Sequence, residues 1–305
     1  MFERPAKVSD GQVLALVREN WAHDVTSVEH VPVGFGAWHW RASGPSGPVL
    51  FVSLDPPYWH TSETIERAYA SAALLARELE FVHAPLPTPG GTCCVPVGEG
   101  WLSATPWIDG APPRGSTTEA AELVRRLHAA QPPVGAPVWE PQVADDLVDE
   151  LSNWVSGPWE GGPFGEVARA AVRDRLPEVD RALRTYRSLT ERVDPSTYVA
   201  THGEPDVHNQ VRSADGRLLL VDWESFRLAP AERDLLGSVG DHVAGDPALV
   251  NLFRLEWALG EVRSYSEWLR GAHRDDADTR TAILGLTHEL DFLARRGTTA
   301  ADGPG

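Results

Sequence analysis

The sequence predicts an α+β chain: a small antiparallel sheet with one helix, followed by a larger helical region. Three observations carry this. Runs of β-branched and aromatic residues cluster between Val31 and Pro106. From Ser116 onward, apolar positions recur mostly at helical spacing. The Pro/Gly-rich turn Ala111–Gly115 separates the two regions. The boundary is placed near residue 110, giving segments 1–110 and 111–296. The tail 297–305 has nothing to bury and is expected to be disordered.

Each element has a local reason. A short helix spans roughly Gln12–Trp21. Val31–Gly36 leads into strand-like Ala37–Ala42, Gly44–Pro48 is a turn, and Val49–Leu54 reads as a strand. Ser62 is placed to cap a helix reaching Glu80, with Ile65, Tyr69, Ala72, Ala76 and Leu79 at helical spacing. Strands follow around Cys93–Val97 and Trp101–Pro106. Ser116 with Glu119 forms a capping box, and Leu123 and Leu127 share the face behind it. Helices are expected over 141–154, 163–175 and 178–192, then a strand at Thr197–Ala200. Asp246 is an N-cap before Pro247 at the first helical position of a helix reaching Gly260. Two more helices cover about 261–270 and 278–295.

At 305 residues and 42% hydrophobic, the chain can fill one large domain or two lobes. No uncharged stretch reaches the ~20 residues that span a bilayer, and no basic, apolar leader opens the chain. A cytoplasmic monomer or homodimer is expected. Cys93 and Cys94 are adjacent on a strand, where successive side chains face opposite ways, so buried free thiols are expected. The formal charge of −17 opposes binding to a nucleic-acid backbone. It suits a cationic small molecule, and equally it serves solubility.

The chemistry-bearing text is Thr201–Asn209, then Gln210–Ser213, Ala214-Asp215-Gly216, and Arg217–Val221 ending in Asp222-Trp223-Glu224. Asp215-Gly216 is a strong hairpin signal. If residues 213 and 216 pair, Asn209 lies near residue 220 and is brought close to Asp222, and the loop carrying Glu204 enters the same spot. An amide oxygen and two carboxylates suit Mg²⁺, which binds through one or two protein groups plus substrate phosphates. Asn209 and Asp222 would hold the metal, and Glu204 would orient the acceptor hydroxyl or accept its proton. Taken alone, Asn209 could equally be a turn residue and Asp222 a helix cap, while His202 is read as a buried brace beneath the loop.

His202-Gly203-Glu204 with Asn209, then Asp222-Trp223, then Ala229–Leu235 resembles the aminoglycoside phosphotransferase family. It is most similar to actinobacterial phosphotransferase members related to spectinomycin kinases. The resemblance implies a bilobal protein-kinase-like fold, ATP and Mg²⁺ as cofactors, and O-phosphorylation of a small hydroxylated molecule. That acceptor would be an aminoglycoside-like antibiotic, an amino alcohol or a biosynthetic intermediate. By the resemblance, Glu204 matches the catalytic carboxylate, Asn209 and Asp222 the metal ligands, and Asp234 an acidic brace of the catalytic loop. Val31–Gly36, with Gly34 and Gly36, resembles the nucleotide-covering turn, and Trp107-Ile108 the hinge that meets adenine. Leu127-His128-Ala129 resembles the end of the next helix, and Asp276–Arg280 the approach to the last one. The acceptor would lie beside 139–175, whose Trp139, Trp154 and Trp159 with nearby carboxylates could line a cleft or simply pack helices.

Three departures stand out. The catalytic position is Glu204 rather than aspartate. Asp206-Val207-His208-Asn209 replaces the small-residue segment common in relatives. The strand lysine is absent: its slot is Ser53, and Lys7, the single lysine, precedes the sheet. Its usual glutamate partner, Glu66 or Glu63 by position, would have nothing to hold, and Arg41 or Arg67 are the candidate substitutes. A kinase-fold module without transfer activity is therefore the alternative expectation.

Overall fold

A computed structural model of the chain describes residues 1–57, 61–98, 100–111 and 117–299. Two compact units emerge, Met1–Trp139 with Pro195–Gly245, and Glu140–Asp194 with Asp246–Gly305. The boundary expected near residue 110 thus falls inside the first unit.

The first unit opens with α1 (Asp10–Asn20), β1 (Ser27–Val31), β2 (Trp38–Gly44), β3 (Gly47–Asp55) and α2 (Ser62–Leu75). β4 (Cys94–Val97), β5 (Gly100–Pro106), β6 (Gly110–Ala111) and α3 (Thr117–His128) follow. The antiparallel sheet has the order β1-β2-β3-β5-β4. Alternation along β3 puts Leu50, Val52 and Leu54 into a core with Trp40, Ala42, Leu102 and Ala104. Val13 and Val17 of α1 close that core. Ser9 starts α1 through a capping box with Gln12.

α2 begins one residue earlier than the sequence suggested: Thr61, not Ser62, is the cap and pairs reciprocally with Thr64. It ends at Leu75 instead of Glu80. Ser116, the expected cap of α3, lies outside the described residues.

Beyond Pro195 the first unit adds β7 (Val199–Thr201), β8 (Gln210–Ser213), β9 (Leu218–Leu220) and β10 (Arg227–Ala229). β7 pairs with β10, and β6, β8 and β9 form a three-stranded sheet. Leu220 donates its amide to Phe81 O at 2.8 Å and accepts from His83 N at 3.0 Å, which ties β9 to the segment after α2.

The second unit consists of α4 (Leu147–Ser156), α5 (Gly165–Thr190), α6 (Pro247–Arg270) and α7 (Ala277–Thr299). α5 is one helix where two were expected. Pro177 removes a single backbone bond, but Val172, Val179, Leu183 and Tyr186 continue one buried stripe across it. α6 likewise runs through Gly260, where the expected break does not occur because Leu259 and Val262 stay buried on either side. Asp246 caps α6 as expected, accepting from Ala248 N at 2.8 Å. α7 extends to Thr299, so residues 297–299 are helical rather than a disordered tail; residues 300–305 lie outside the described residues.

Trp139 and Trp159 are 3% and 1% exposed, so the cleft-lining expectation fails for both; each is a core side chain. Within the second unit, the Arg270 guanidinium covers the Trp154 ring at 4.4 Å. Glu150 is held by Arg263 through bonds of 2.8 and 3.0 Å.

Candidate active site

The hairpin is one residue out of the expected register. Gln210 pairs with Leu220; Ser213 N donates to Arg217 O at 3.0 Å, while Ser213 O accepts from Gly216 N at 2.9 Å within the turn. Gly216, at φ +87°, supplies the left-handed residue that closes this three-residue loop. The shift favours the site: Val221 N donates to Asn209 O at 3.0 Å, which puts Asn209 directly beside the residue preceding Asp222.

Asp222 is the one non-glycine residue with positive φ among those described, at 70°. A backbone conformation that costs an L-residue free energy persists where its surroundings impose it. Here Trp223 is the anchor. Its indole donates to Leu220 O at 2.9 Å, its ring lies 4.5 Å from His202, and it is 1% exposed.

His202 is fully buried. Its Nε2 meets Val221 O at 2.8 Å, linking the 202–209 loop to the strand end that delivers Asp222, and burial lowers its pKa. Asp234 holds the same loop from the other side. Its carboxylate accepts the amides of His202 at 3.0 Å and Gly203 at 2.6 Å, and His128 Nε2 lies 2.9 Å away. Burial alone would raise this carboxyl, but His128, His202 and Arg233 hold it below its ordinary value. Gly203 is required here: its φ is +102°, and a Cβ would sit 2.4 Å from the Arg233 guanidinium.

Glu204 bonds within its own loop. Its Oε1 lies 2.9 Å from His208 Nε2, and Asn209 Nδ2 donates to Glu204 O at 3.0 Å. The amide nitrogen of Asn209 is thereby taken, leaving its Oδ1 as the metal-capable end. Asp206 does not join the metal pair. It accepts from Val207 N at 2.8 Å and Ser238 Oγ at 2.6 Å, so its carboxylate is a cap.

Asn209 and Asp222 line a cavity of about 420 Å³. Gly34, Ser53, Trp107 and Ile108 line it too, whereas Gly36 belongs to the same turn without reaching it. Val31, Phe51, Pro106, Val211 and Val221 supply apolar walls. At the hinge, Pro106 O meets His83 Nε2 at 2.8 Å and Trp107 N donates to Val49 O at 3.0 Å.

The donor chemistry fits a hard cation. Burial, then the Asp222 charge and a hydrogen bond with it, push Glu224 far above its ordinary value. Glu224 Oε2 is buried without a partner. Asp55 is raised to about 7 by burial, against the hydrogen bond from Tyr69 and with the Asp222 charge adding. Carboxyl oxygens thus crowd Asp222, and burial and mutual repulsion keep Glu224 and Asp55 toward their neutral forms. Among the described residues no three His, Cys, Asp or Glu side chains form a ready-made cage.

The sequence profile described as the phosphotransferase enzyme family (APH) matches residues 31–274, a span holding the Gly34 turn, the hinge, the loop and the hairpin. The chain belongs to that family.

Solved structures agree on the fold. Spectinomycin phosphotransferase APH(9)-Ia, in complex with ADP and spectinomycin, superposes with a TM-score of 0.70 at 14% identity, covering 94% of this chain and 98% of that one. A microcompartment-associated aminopropanol kinase gives 0.64 at 12% identity, with 95% and 98% covered. Choline kinase LicA from Streptococcus pneumoniae gives 0.53 at 13% identity, with 93% and 99% covered. No curated protein sequence matches the chain. The α+β architecture is therefore the kinase-like fold of this family.

Within that fold the two candidate lysine substitutes are engaged elsewhere. Arg41 pairs with Glu29, and Arg67 donates to Gly135 O and Ala136 O at 3.0 Å each. Glu66 has a different occupation: it accepts from Cys93 N at 2.8 Å, from Cys94 N at 3.1 Å and from Cys94 Sγ at 3.2 Å. Both cysteines are free and buried, as expected. Sequence reasoning missed His39, which meets Ser53 across the strands, because only the β2–β3 register puts the two together.

Proposed function

We propose that this chain transfers a phosphoryl group from a magnesium-bound nucleoside triphosphate, ATP in the first instance, to a hydroxyl of a small molecule. The observation that carries the reading is the meeting of Asn209 and Asp222 at the wall of a cavity also lined by the Gly34 turn and the hinge. Asn209 Oδ1 and the Asp222 carboxylate would hold Mg²⁺, which supplies neutralisation of phosphate charge when bound. Glu204 orients the acceptor hydroxyl and takes its proton, with His208 fixing the carboxylate. Phe51 and Trp107 flank the adenine, and Ile108 N offers a donor, since Trp107 N is already paired.

An amine-bearing alcohol is the acceptor class this reading favours. The −17 charge attracts cations, and the fold neighbours include enzymes named for spectinomycin, aminopropanol and choline. Magnesium-dependent ATP consumption across aminoglycosides, amino alcohols and cyclic peptides tests it, with Asp222→Asn run in parallel. Turnover with one acceptor, lost in Asp222→Asn, is expected. Equal activity in that variant sinks the assigned role of Asp222.

A second reading has its own observation. Among the described residues lining the cavity there is no lysine or arginine. A nucleotide-binding module without transfer would show ATP binding and no turnover across the whole panel.

A further inference from the structure

A kinase-like site needs a group that grips the triphosphate independently of the metal. Ser53 occupies the slot of the strand lysine and cannot pair with phosphate charge on its own. What stands against Ser53 is His39. The two are cross-strand partners in the β2–β3 register, and His39 Nδ1 lies 3.0 Å from Ser53 Oγ. The imidazole stacks on Phe51, with ring centroids 4.9 Å apart and 28° between planes. Its opposite edge faces the covering turn: Nε2 lies 3.4 Å from the position a Cβ on Gly34 would take. The ring therefore bridges the lysine slot and the glycine turn, and both ends of that bridge line the cavity with Asp222. Nε2 has no hydrogen-bond partner among the described residues.

Burial keeps the ring neutral, lowering its pKa to about 4; Asp222 opposes that, while His30 and the Met1 ammonium add to it. A neutral imidazole carries one N–H and one acceptor. With the Ser53 hydroxyl donating to Nδ1, the hydrogen sits on Nε2, on the side of the Gly34 turn.

We propose that His39 is the phosphate-gripping residue of this chain, its Nε2–H donating to a nucleotide phosphate oxygen while Ser53 fixes the ring. The assignment rests on the nucleotide-binding reading above. It gives Ser53 a reason to stand where it does: a hydroxyl orients an imidazole where a lysine would have crowded it.

The test compares dissociation constants for ATP and adenosine, both with magnesium present, by titration calorimetry. The wild-type chain binds ATP more tightly than adenosine. His39→Asn keeps a polar group near Ser53 and removes the Nε2 donor. It is expected to weaken ATP by about tenfold while leaving adenosine within about twofold. His39→Gln returns an amide donor near the Nε2 position and restores most of the ATP affinity. ATP affinity unchanged in His39→Asn overturns the proposal, as does equal weakening of ATP and adenosine in a folded variant. Should His39→Asn fail to fold, Ser53→Ala carries the test: selective loss of ATP affinity supports the proposal, and unchanged affinity overturns it. A wild-type chain that binds neither ligand defeats the nucleotide reading itself. Wild-type binding of both with indifferent His39 variants defeats this inference alone.

Discussion

His208 Nε2 lies 2.9 Å from Glu204 Oε1, four residues apart on one loop. The contact raises the His208 pKa, chiefly through this hydrogen bond and against partial burial. It supplies what a longer carboxylate side chain lacks, a fixed direction, because an extra methylene adds a rotatable bond. His208→Ala is expected to lower kcat by about tenfold while the KM for nucleotide stays near wild type, since positioning of a reacting group is lost and nucleotide binding is not. Steady-state kinetics with both substrates varied decide it; a rise in nucleotide KM at constant kcat refutes the positioning role.

Replacing Glu204 with the shorter aspartate tests whether the loop is built around glutamate. Glu204→Asp withdraws the carboxylate by ~1.5 Å, a displacement that can cost about 100-fold in rate. It also breaks the reach to His208. A fall in kcat is therefore expected. Equal or higher kcat would show that His208 and Asn209 tolerate either length.

Much of this site was legible from residue types and turn chemistry. Asp215-Gly216 marked the hairpin, and the hairpin forced Asn209 toward Asp222. The burial of His202 followed from its place beneath the loop. What sequence could not supply was register and long-range partnership. One extra loop residue moved the partner of Asn209 from residue 220 to Val221. His39 carries no motif of its own, and only a cross-strand pairing gives it meaning. Glu66 read as a kinase glutamate without a lysine, yet it is held by amides 27 and 28 residues away. Residues 175–178 and Gly260 read as helix ends because local propensity was the signal available, whereas buried stripes continuing across both decided otherwise.

Asp234→Asn probes the brace. The wild-type carboxylate accepts two main-chain amides and contacts His128, all at 1% exposure. The neutral amide replaces one acceptor by a donor facing an N–H, leaving that group unsatisfied. A loss of about 2–4 kcal/mol is expected by urea unfolding at neutral pH. Because the folded pKa is depressed, this stabilisation is present above the unfolded value of about 3.9 and is lost as pH falls through the folded one. The wild-type and variant curves should therefore converge in acid; a constant gap down to that range argues against a charged Asp234.

The adjacent thiols should be inert in the native chain. Burial, with Glu66 nearby, pushes Cys93 up to about 12, and the same causes plus a hydrogen bond to Glu66 raise Cys94 further. The thiolate is the reactive form, so maleimide at pH 8 should label neither residue in buffer and both in urea. Rapid native labelling at either position would contradict their placement against Glu66.

Asp55 gives the sharpest pH prediction, since it works in the opposite sense to Asp234. It is 4% exposed, accepts from Tyr69 Oη at 2.8 Å, and is raised to about 7, chiefly by burial and with the charge of Asp222 adding. Between the unfolded value of about 3.9 and that raised value, the folded chain keeps a proton the unfolded chain has released. Its contribution to stability therefore falls as pH rises across this window and levels off above it. Asp55→Asn stays neutral at every pH and keeps an oxygen for the Tyr69 hydroxyl. Relative to wild type it should gain stability on going from pH 5 to pH 8, by on the order of 3 kcal/mol before coupling to Asp222 and Glu224 reduces it. Urea unfolding of both proteins at the two pH values measures this. An unchanged difference between them would mean that Asp55 is ionised throughout, and that the acidic cluster beside Asp222 carries its full charge before any metal binds.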